Sequence, residues 1–238
     1  MENYLMTIDT ETTNSLDDAL VYDLGLAIHT ASGEVVHTES LVISDIFLNK
    51  ELMETAYFAE KIPSYWEDIQ KGSRRLVSFN TARKIVKNLL RRYSVKTVIA
   101  HNAYFDYSSL NTTLRYLTKS KYRFFLPWGI TLWDSLRMAK TTFGKNEEYK
   151  AWCVENNYLT EKQARPKMTA EVLYRYITGD SSFVEEHTGL ADVMIEKEIT
   201  AYFLKLNHAS MKKCLFNPRK EEDVKTMLEW WTESLLCE

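Results

Sequence analysis

The amino-acid sequence predicts a mixed β-sheet covered by helices, and three observations carry that expectation. Three strand-like runs crowd into the first 43 residues, helical periodicity dominates from about residue 45, and short apolar runs near residues 97 and 130 interrupt it. Strands in a meander, followed by strands alternating with helices, imply one mixed sheet with helices packed around it.

The elements follow in order. Tyr4 to Asp9 (YLMTID) is a short, mostly apolar run that stops at acids and threonines, as a buried strand with a polar carboxyl end does. Val21 to Thr30 and Val35 to Ile43 are strand-like runs joined by the turn Ser32 to Glu34, which is a hairpin signal. Residues from about Asp45 to Tyr93 lean helical, with Ala82, Ile85, Val86, Leu89 and Leu90 at helical spacing. Thr97 to Ala100 (TVIA) returns as a strand, and the helix expected after it carries Leu110, Leu114 and Leu117. A weaker strand signal spans Ile130 to Trp133, and helices are expected over Tyr149–Asn156, Met168–Ile177, His187–Leu206 and Glu221–Leu236. There is no internal repeat and no linker-like stretch. The expected organisation is a catalytic domain over 1–206 and a helical extension over 207–238, packed on the same domain.

Composition narrows the class. Of 238 residues, 45% are hydrophobic and 26% charged, the balance of an ordinary globular protein able to bury a core without disulfides. Cys153, Cys214 and Cys237 lie far apart and form no CxxC pair, which suggests free thiols in a reducing compartment. The start, MENYLMTIDTE, has acids where a signal peptide needs basic residues, and no run approaches a membrane span. The expected location is therefore cytoplasmic, with no membrane contact. The net charge of −3 argues against binding long nucleic acid by phosphate neutralisation alone, while allowing a grip on a few nucleotides at a strand end.

Polar residues at the strand ends are the most informative. Asp9 and Glu11 are two apart, so both carboxylates leave a strand on the same face. They are either two exposed acids or part of a divalent-cation site, since like charges side by side are unfavourable without a positive partner. Next comes His101-Asn102-Ala103-Tyr104-Phe105-Asp106, delivered by an apolar strand. Asp106 in the first turn of a helix is favoured by the helix dipole in any case, and His101 and Asn102 are equally readable as turn residues. The third group is His187-Thr188-Gly189-Leu190-Ala191-Asp192. Five positions along a helix separate side chains by roughly 140°. His187 and Asp192 therefore converge only if His187 lies at or before the helix start.

Together, Asp9 and Glu11, then Asn102, Phe105 and Asp106, then His187 and Asp192, resemble the three motifs of the DEDDh 3′–5′ exonucleases. That group includes the proofreading subunit of bacterial replicative polymerase, ribonuclease T and oligoribonuclease. WDSLRMAK (Trp133 to Lys140) is similar to the family's D-T-L-x-L-A stretch. KMTAEVLYRYITGDSSFVEEHTGLAD (Lys167 to Asp192) resembles the run leading into its third motif. Each motif is weak alone; the ordered set, covering about Tyr4 to Leu206, is specific. The resemblance implies a ribonuclease H-like fold with a five-stranded mixed sheet flanked by helices.

It also implies a reaction: cation-dependent hydrolysis at the 3′ end of single-stranded nucleic acid, releasing nucleoside 5′-monophosphates. DNA is the expected polymer, and RNA 3′-end trimming or a catalytically silent nucleic-acid-binding or polymerase-accessory subunit are the alternatives. The expected metal ligands are Asp9, Glu11, Asp106 and Asp192, holding two divalent cations, Mg²⁺ or Mn²⁺, of the kind that stabilises both oxygens of an in-line displacement. His187 is the expected general base. Thr12, Thr13, Asn102, Tyr104 and Phe105 are expected to touch the substrate, by hydrogen bonds or base stacking. The expected partners are a single-stranded DNA or RNA 3′ end and a DNA polymerase. Two departures from the family pattern stand out. Asn14-Ser15-Leu16 replaces Gly-Leu after the first motif, so either Leu16 takes over as the apolar wedge or the strand end is gripped differently, and Gly189 replaces a more usual Ala.

Overall fold

The computed structural model describes residues 4–13, 19–120, 123–162, 164–206, 215–216 and 222. The Asn14-Ser15-Leu16 wedge and, Glu222 aside, the helix expected over Glu221–Leu236 lie outside the described residues.

Three strands open the chain: β1 (Leu5–Thr12), β2 (Val21–His29) and β3 (Val35–Ile43). β1 and β2 are antiparallel, as are β2 and β3, so they form the expected meander. β5 (Thr97–Ala100) pairs parallel to β1, and β6 (Thr131–Asp134) parallel to β5. These are the five expected strands. Two short strands lengthen the sheet at its edges, giving the order β4-β3-β2-β1-β5-β6-β7. β4 (Arg75–Val77) lies parallel to β3, and β7 (Leu215–Phe216) antiparallel to β6. Three and two residues are too few to show a side-chain period, which is why neither is legible in the sequence.

Helices fill the connections. Short helices α1 (Ser44–Phe47) and α2 (Lys50–Met53) lead into a 3₁₀ turn at Ala59–Lys61, then α3 (Ile62–Lys71) and α4 (Phe79–Arg92). α3 ends at Gly72, whose φ of +79° is the left-handed stop that glycine adopts readily. Ser78 caps α4 by accepting from Thr81 N. α5 (Ala103–Thr118) follows β5, and α6 (Ser135–Phe143) follows β6. α7 (Glu147–Glu155), α8 (Ala170–Thr178) and α9 (Gly189–Leu206) complete the described helices. Among the described residues no helix is long and apolar enough to cross a membrane.

The apolar side chains form two clusters. The larger joins β1, β2 and β3 to α4 and α5 through residues such as Leu24, Leu26, Val86 and Leu110. The smaller holds α6, α7, α8 and α9 together around Phe143, Tyr149 and Phe203. β2 is buried along its whole length, as a strand covered on both faces must be.

α9 approaches the sheet closely because two glycines meet. A Cβ built on Gly25 of β2 would lie 2.0 Å from the carbonyl carbon of Gly189 and 2.3 Å from Leu190 N. Those obstructing atoms are backbone, so relief requires moving the helix itself. Overpacking a core costs about 1–3 kcal/mol when side chains can shift. Gly25→Ala is expected to exceed that range in denaturant unfolding, and a cost under about 1 kcal/mol would show that α9 docks more loosely than this.

Candidate active site

The parallel strands β1, β5 and β6 deliver their carboxyl ends to one edge of the sheet, and the polar residues gather there. Asp9 lies opposite Gly25 and Glu11 opposite Asp23 in the β1–β2 ladder, with a register shift between Glu11 and Thr12. A bulge at this point re-aims the side chains at the strand end. α9 crosses over the same positions and brings Asp192. The ligating atoms of Asp9, Glu11 and Asp192 all lie within 4.8 Å of one another.

Asp106 enters from the first turn of α5. It is buried, and its Oδ1 accepts from the hydroxyl of Thr10 at 2.8 Å. Asn102, just before that helix, has φ +68°, a left-handed conformation that Asn tolerates better than most residues. Its N–H donates to Asp134 Oδ1 at 3.2 Å, and the same oxygen caps α6 by accepting from Leu136 N and Arg137 N. Asp134 thus ties the ends of β5 and β6 together. His101 turns inward instead, its Nε2 2.8 Å from Met168 O and its Nδ1 2.8 Å from Ser135 Oγ. Burial pushes its pKa down to about 4, so the neutral ring donates from Nε2 and accepts at Nδ1.

His187 sits before the start of α9, where convergence with Asp192 required it to be. Its φ is +49°, and its ring stacks on Phe58 with centroids 4.6 Å apart and planes 11° from parallel. Lys61 Nζ donates to the carbonyls of Glu186 and His187 and lies over the Phe58 ring. Asp23 fixes the other side of this turn. It is fully buried, and its Oδ2 accepts from Gly189 N at 3.0 Å, Tyr65 hydroxyl at 2.7 Å and Arg74 at 2.8 Å. The segment from Phe58 to Arg74 therefore clasps the turn that presents His187 and Asp192.

The acids crowd one another out of water, and their pKa values record it. Burial first, then Glu196 and Asp106, raises Asp9 well above the usual carboxylate range. Burial and Asp192 push Glu11 up to about 9, and burial and Glu185 push Asp192 up to about 8, with Lys61 opposing in both cases. Asp106 rises to about 7 through burial, against the hydrogen bond from Thr10. Five buried or half-buried carboxylates, counting Glu196, cannot all be anionic at neutral pH unless positive charge joins them. Asp192 Oδ1 is buried and has no hydrogen-bond partner among the described residues, an unmet acceptor at the centre of the cluster. A set of convergent carboxylate oxygens with an open acceptor fits a hard divalent cation such as Mg²⁺ or Mn²⁺.

No family model matches this chain, and no curated protein matches it. Solved structures do. It is similar to E. coli exonuclease I in a zinc-bound complex with single-stranded DNA, with TM-score 0.57 and 12% identity over 90% of this chain and 43% of that one. A second structure of E. coli exonuclease I, in complex with an oligonucleotide, gives TM-score 0.54 at 9% identity over 90% and 42%. Exonuclease I of Methylocaldum szegediense gives TM-score 0.52 at 12% identity over 89% and 42%. The fold is that of these exonuclease I structures. This chain spans less than half the length of the exonuclease I chains it matches.

Within this exonuclease fold the structure brings Asp9, Glu11, Asp106 and Asp192 to one place, with His187 beside them. The expected substrate contacts divide. Thr12, Asn102, Tyr104 and Phe105 are half-buried near the acids. Thr13 is buried, its hydroxyl accepting from Leu20 N at 3.1 Å, so it anchors the chain's return to β2. Sequence reasoning missed Glu196, one turn beyond Asp192, where the four-residue spacing was a usable signal. It also missed Asp23, a lone acid inside an apolar strand. Phe58, Lys61 and Glu185 reach the site only through tertiary packing, and nothing local marks them.

Proposed function

We propose that this protein is a cation-dependent 3′–5′ exonuclease that hydrolyses the terminal phosphodiester of single-stranded nucleic acid, with DNA preferred, and releases nucleoside 5′-monophosphates. One observation carries the reading: the convergence of Asp9, Glu11 and Asp192 at the carboxyl end of β1, with His187 presented beside them from the turn before α9. The single-stranded DNA held by the related exonuclease I supports the choice of polymer. Asp9, Glu11, Asp106 and Asp192 would hold two divalent cations. When bound, such cations stabilise negative charge on the attacking and departing oxygens of an in-line phosphoryl displacement.

The chain's own residues supply the remainder. His187 takes the proton of the attacking water. Burial and the Lys61 charge lower its pKa, which keeps the ring neutral and able to accept that proton at neutral pH. Phe58 holds the ring plane, and Lys61 fixes the carbonyls on either side of it. Asp23 holds Gly189 N and so sets the turn from which both His187 and Asp192 project. Asn102, Tyr104 and Phe105, at the start of α5, border the acids where the last nucleotide would lie, and Thr12 borders them from the end of β1. In this reading residues 1–206 are the nuclease unit and 207–238 an extension of it. The enzyme works inside the cell, where Cys153 stays a free thiol, and a DNA polymerase is its natural companion.

The test is digestion of 5′-labelled single-stranded DNA and matched RNA with Mg²⁺ or Mn²⁺, beside EDTA controls and the Asp9→Ala variant. The expected result is a ladder shortening from the 3′ end, faster on DNA, and absent with EDTA or in the variant. Faster RNA shortening would reassign the substrate. No cleavage of either polymer by folded protein would overturn the catalytic reading in favour of a binding subunit.

A further inference from the structure

A second ligand set lies against the first. The ligating atoms of Glu185, His187 and Asp192 also fall within 4.8 Å of one another. His187 Nδ1 stands 3.7 Å from Glu185 Oε2, too long for a hydrogen bond. It is close to the edge of a coordination tetrahedron, about 3.4 Å for ligands roughly 2.1 Å from zinc. Asp192 belongs to both sets, and its Oδ1 is the buried acceptor that finds no partner among the described residues. Asp192 is only 5% exposed.

The two sets differ in chemistry. The first offers carboxylate oxygens alone, while the second adds an imidazole nitrogen, a donor that favours Zn²⁺ and its transition-metal neighbours over Mg²⁺. The ring is already oriented, stacked on Phe58 and set at the end of a turn clasped by Lys61 and Asp23. Half of its side chain remains open to solvent, so an ion can reach it.

From this geometry we infer that Glu185, His187 and Asp192 form a Zn²⁺-binding inhibitory site. This rests on the proposed exonuclease reading for its consequence, though not for the binding itself. Zinc on Nδ1 leaves the other ring nitrogen as N–H, so the imidazole has no free lone pair and cannot accept a proton from water. Zinc also draws Asp192 away from the catalytic set. One ion therefore disables the base and a ligand together. Lys61, which holds the carbonyls of this turn, places a positive charge nearby and limits the affinity.

The experiment has two arms. In the first, Zn²⁺ binding to full-length protein is measured by calorimetry in saturating Mg²⁺, and Co²⁺ is used as a spectroscopic probe of ligation. Wild type, Glu185→Gln, Glu185→Ala and His187→Ala are compared, with thermal unfolding confirming that each is folded. Losing even a group that only orients a metal ligand weakens metal sites about 10–100-fold. Loss of Glu185 or His187 should therefore weaken Zn²⁺ binding at least about tenfold and alter the Co²⁺ spectrum. In the second arm, Zn²⁺ is titrated into the Mg²⁺-supported digestion. Each Glu185 variant, compared with its own zinc-free rate, should need at least about tenfold more Zn²⁺ for half inhibition than wild type does. Equal Zn²⁺ affinity and equal inhibition in wild type and the Glu185 variants would overturn the inference, because zinc would then act by displacing Mg²⁺ from Asp9, Glu11 and Asp192. If wild type proves inactive with every cation, the exonuclease reading fails, while the binding arm still decides whether the zinc site exists.

Discussion

Replacing His187 by alanine should lower turnover by about 10²–10⁴-fold, the range a positioned general base supplies, and leave the fold and Mg²⁺ affinity nearly unchanged. His187 is half-exposed, and its backbone already has a left-handed φ of +49°. Little packing is lost on truncation beyond the face it shares with Phe58. The catalytic cations would keep all four carboxylates. A loss in kcat without a matching rise in KM is the signature of an interaction made in the transition state. The pH profile separates this from a structural role. Burial and Lys61 hold the pKa below its ordinary value of 6.5. Wild-type rate should therefore fall on the acid side only below that pH, and the acid limb attributable to His187 should vanish in the variant. A variant that loses activity through weakened Mg²⁺ binding, or that keeps the wild-type acid limb, would remove His187 from the base's position.

Much of this arrangement was legible in the sequence, for physical reasons that differ between elements. The β3 run Val35–Ile43 and the β5 run Thr97–Ala100 match their strands residue for residue, because each is a strong β-former bounded by a turn or a polar end. The start of α9 was legible in a different way. Five helical positions would turn His187 about 140° away from Asp192, so His187 has to precede the helix, and the helix begins at Gly189. The departure from Ala to Gly at that position also finds its cause, since a Cβ on Gly189 would lie 2.6 Å from Gly25 N, which is backbone of β2. What could not be read is what acts across the chain. Phe58 and Lys61 reach His187 over more than 120 positions, and no local spacing encodes that approach. Glu185 carries no periodic mark because it lies in an irregular turn. His101 was equally readable as a turn residue, and only the structure shows its ring bridging Met168 and Ser135 from inside.

The second large effect couples cation, proton and stability. In the metal-free protein the folded pKa values of Glu11, Asp192 and Asp106 are raised to about 9, about 8 and about 7 from ordinary values near 4. Below pH 4 these groups are protonated whether folded or not, and they cost nothing. As pH rises from about 4 the unfolded chain releases protons that the folded chain retains, so the folded state loses stability progressively until about pH 9. The metal-free protein should thus be most stable in mild acid with respect to this site, and its melting temperature should decline through neutrality. Mg²⁺ reverses the sign by neutralising the same carboxylates. At a hundred times its dissociation constant a ligand adds about 2.7 kcal/mol. For a chain of this length that is about 5–10 °C in melting temperature. The gain should be largest at pH 8 and shrink toward pH 5, where protons compete with the cation. Asp9→Asn supplies the control, since burial and the neighbouring Glu196 and Asp106 carboxylates already disfavour the Asp9 charge. The metal-free variant should melt higher than wild type at pH 8, gain little from Mg²⁺ and hydrolyse nothing. Removing charge from a functional site stabilises the fold because the repulsion among these acids serves cation binding rather than packing. Equal melting temperatures for wild type and Asp9→Asn at pH 8, with no response to Mg²⁺ in either, would show that the acids do not form a cation site.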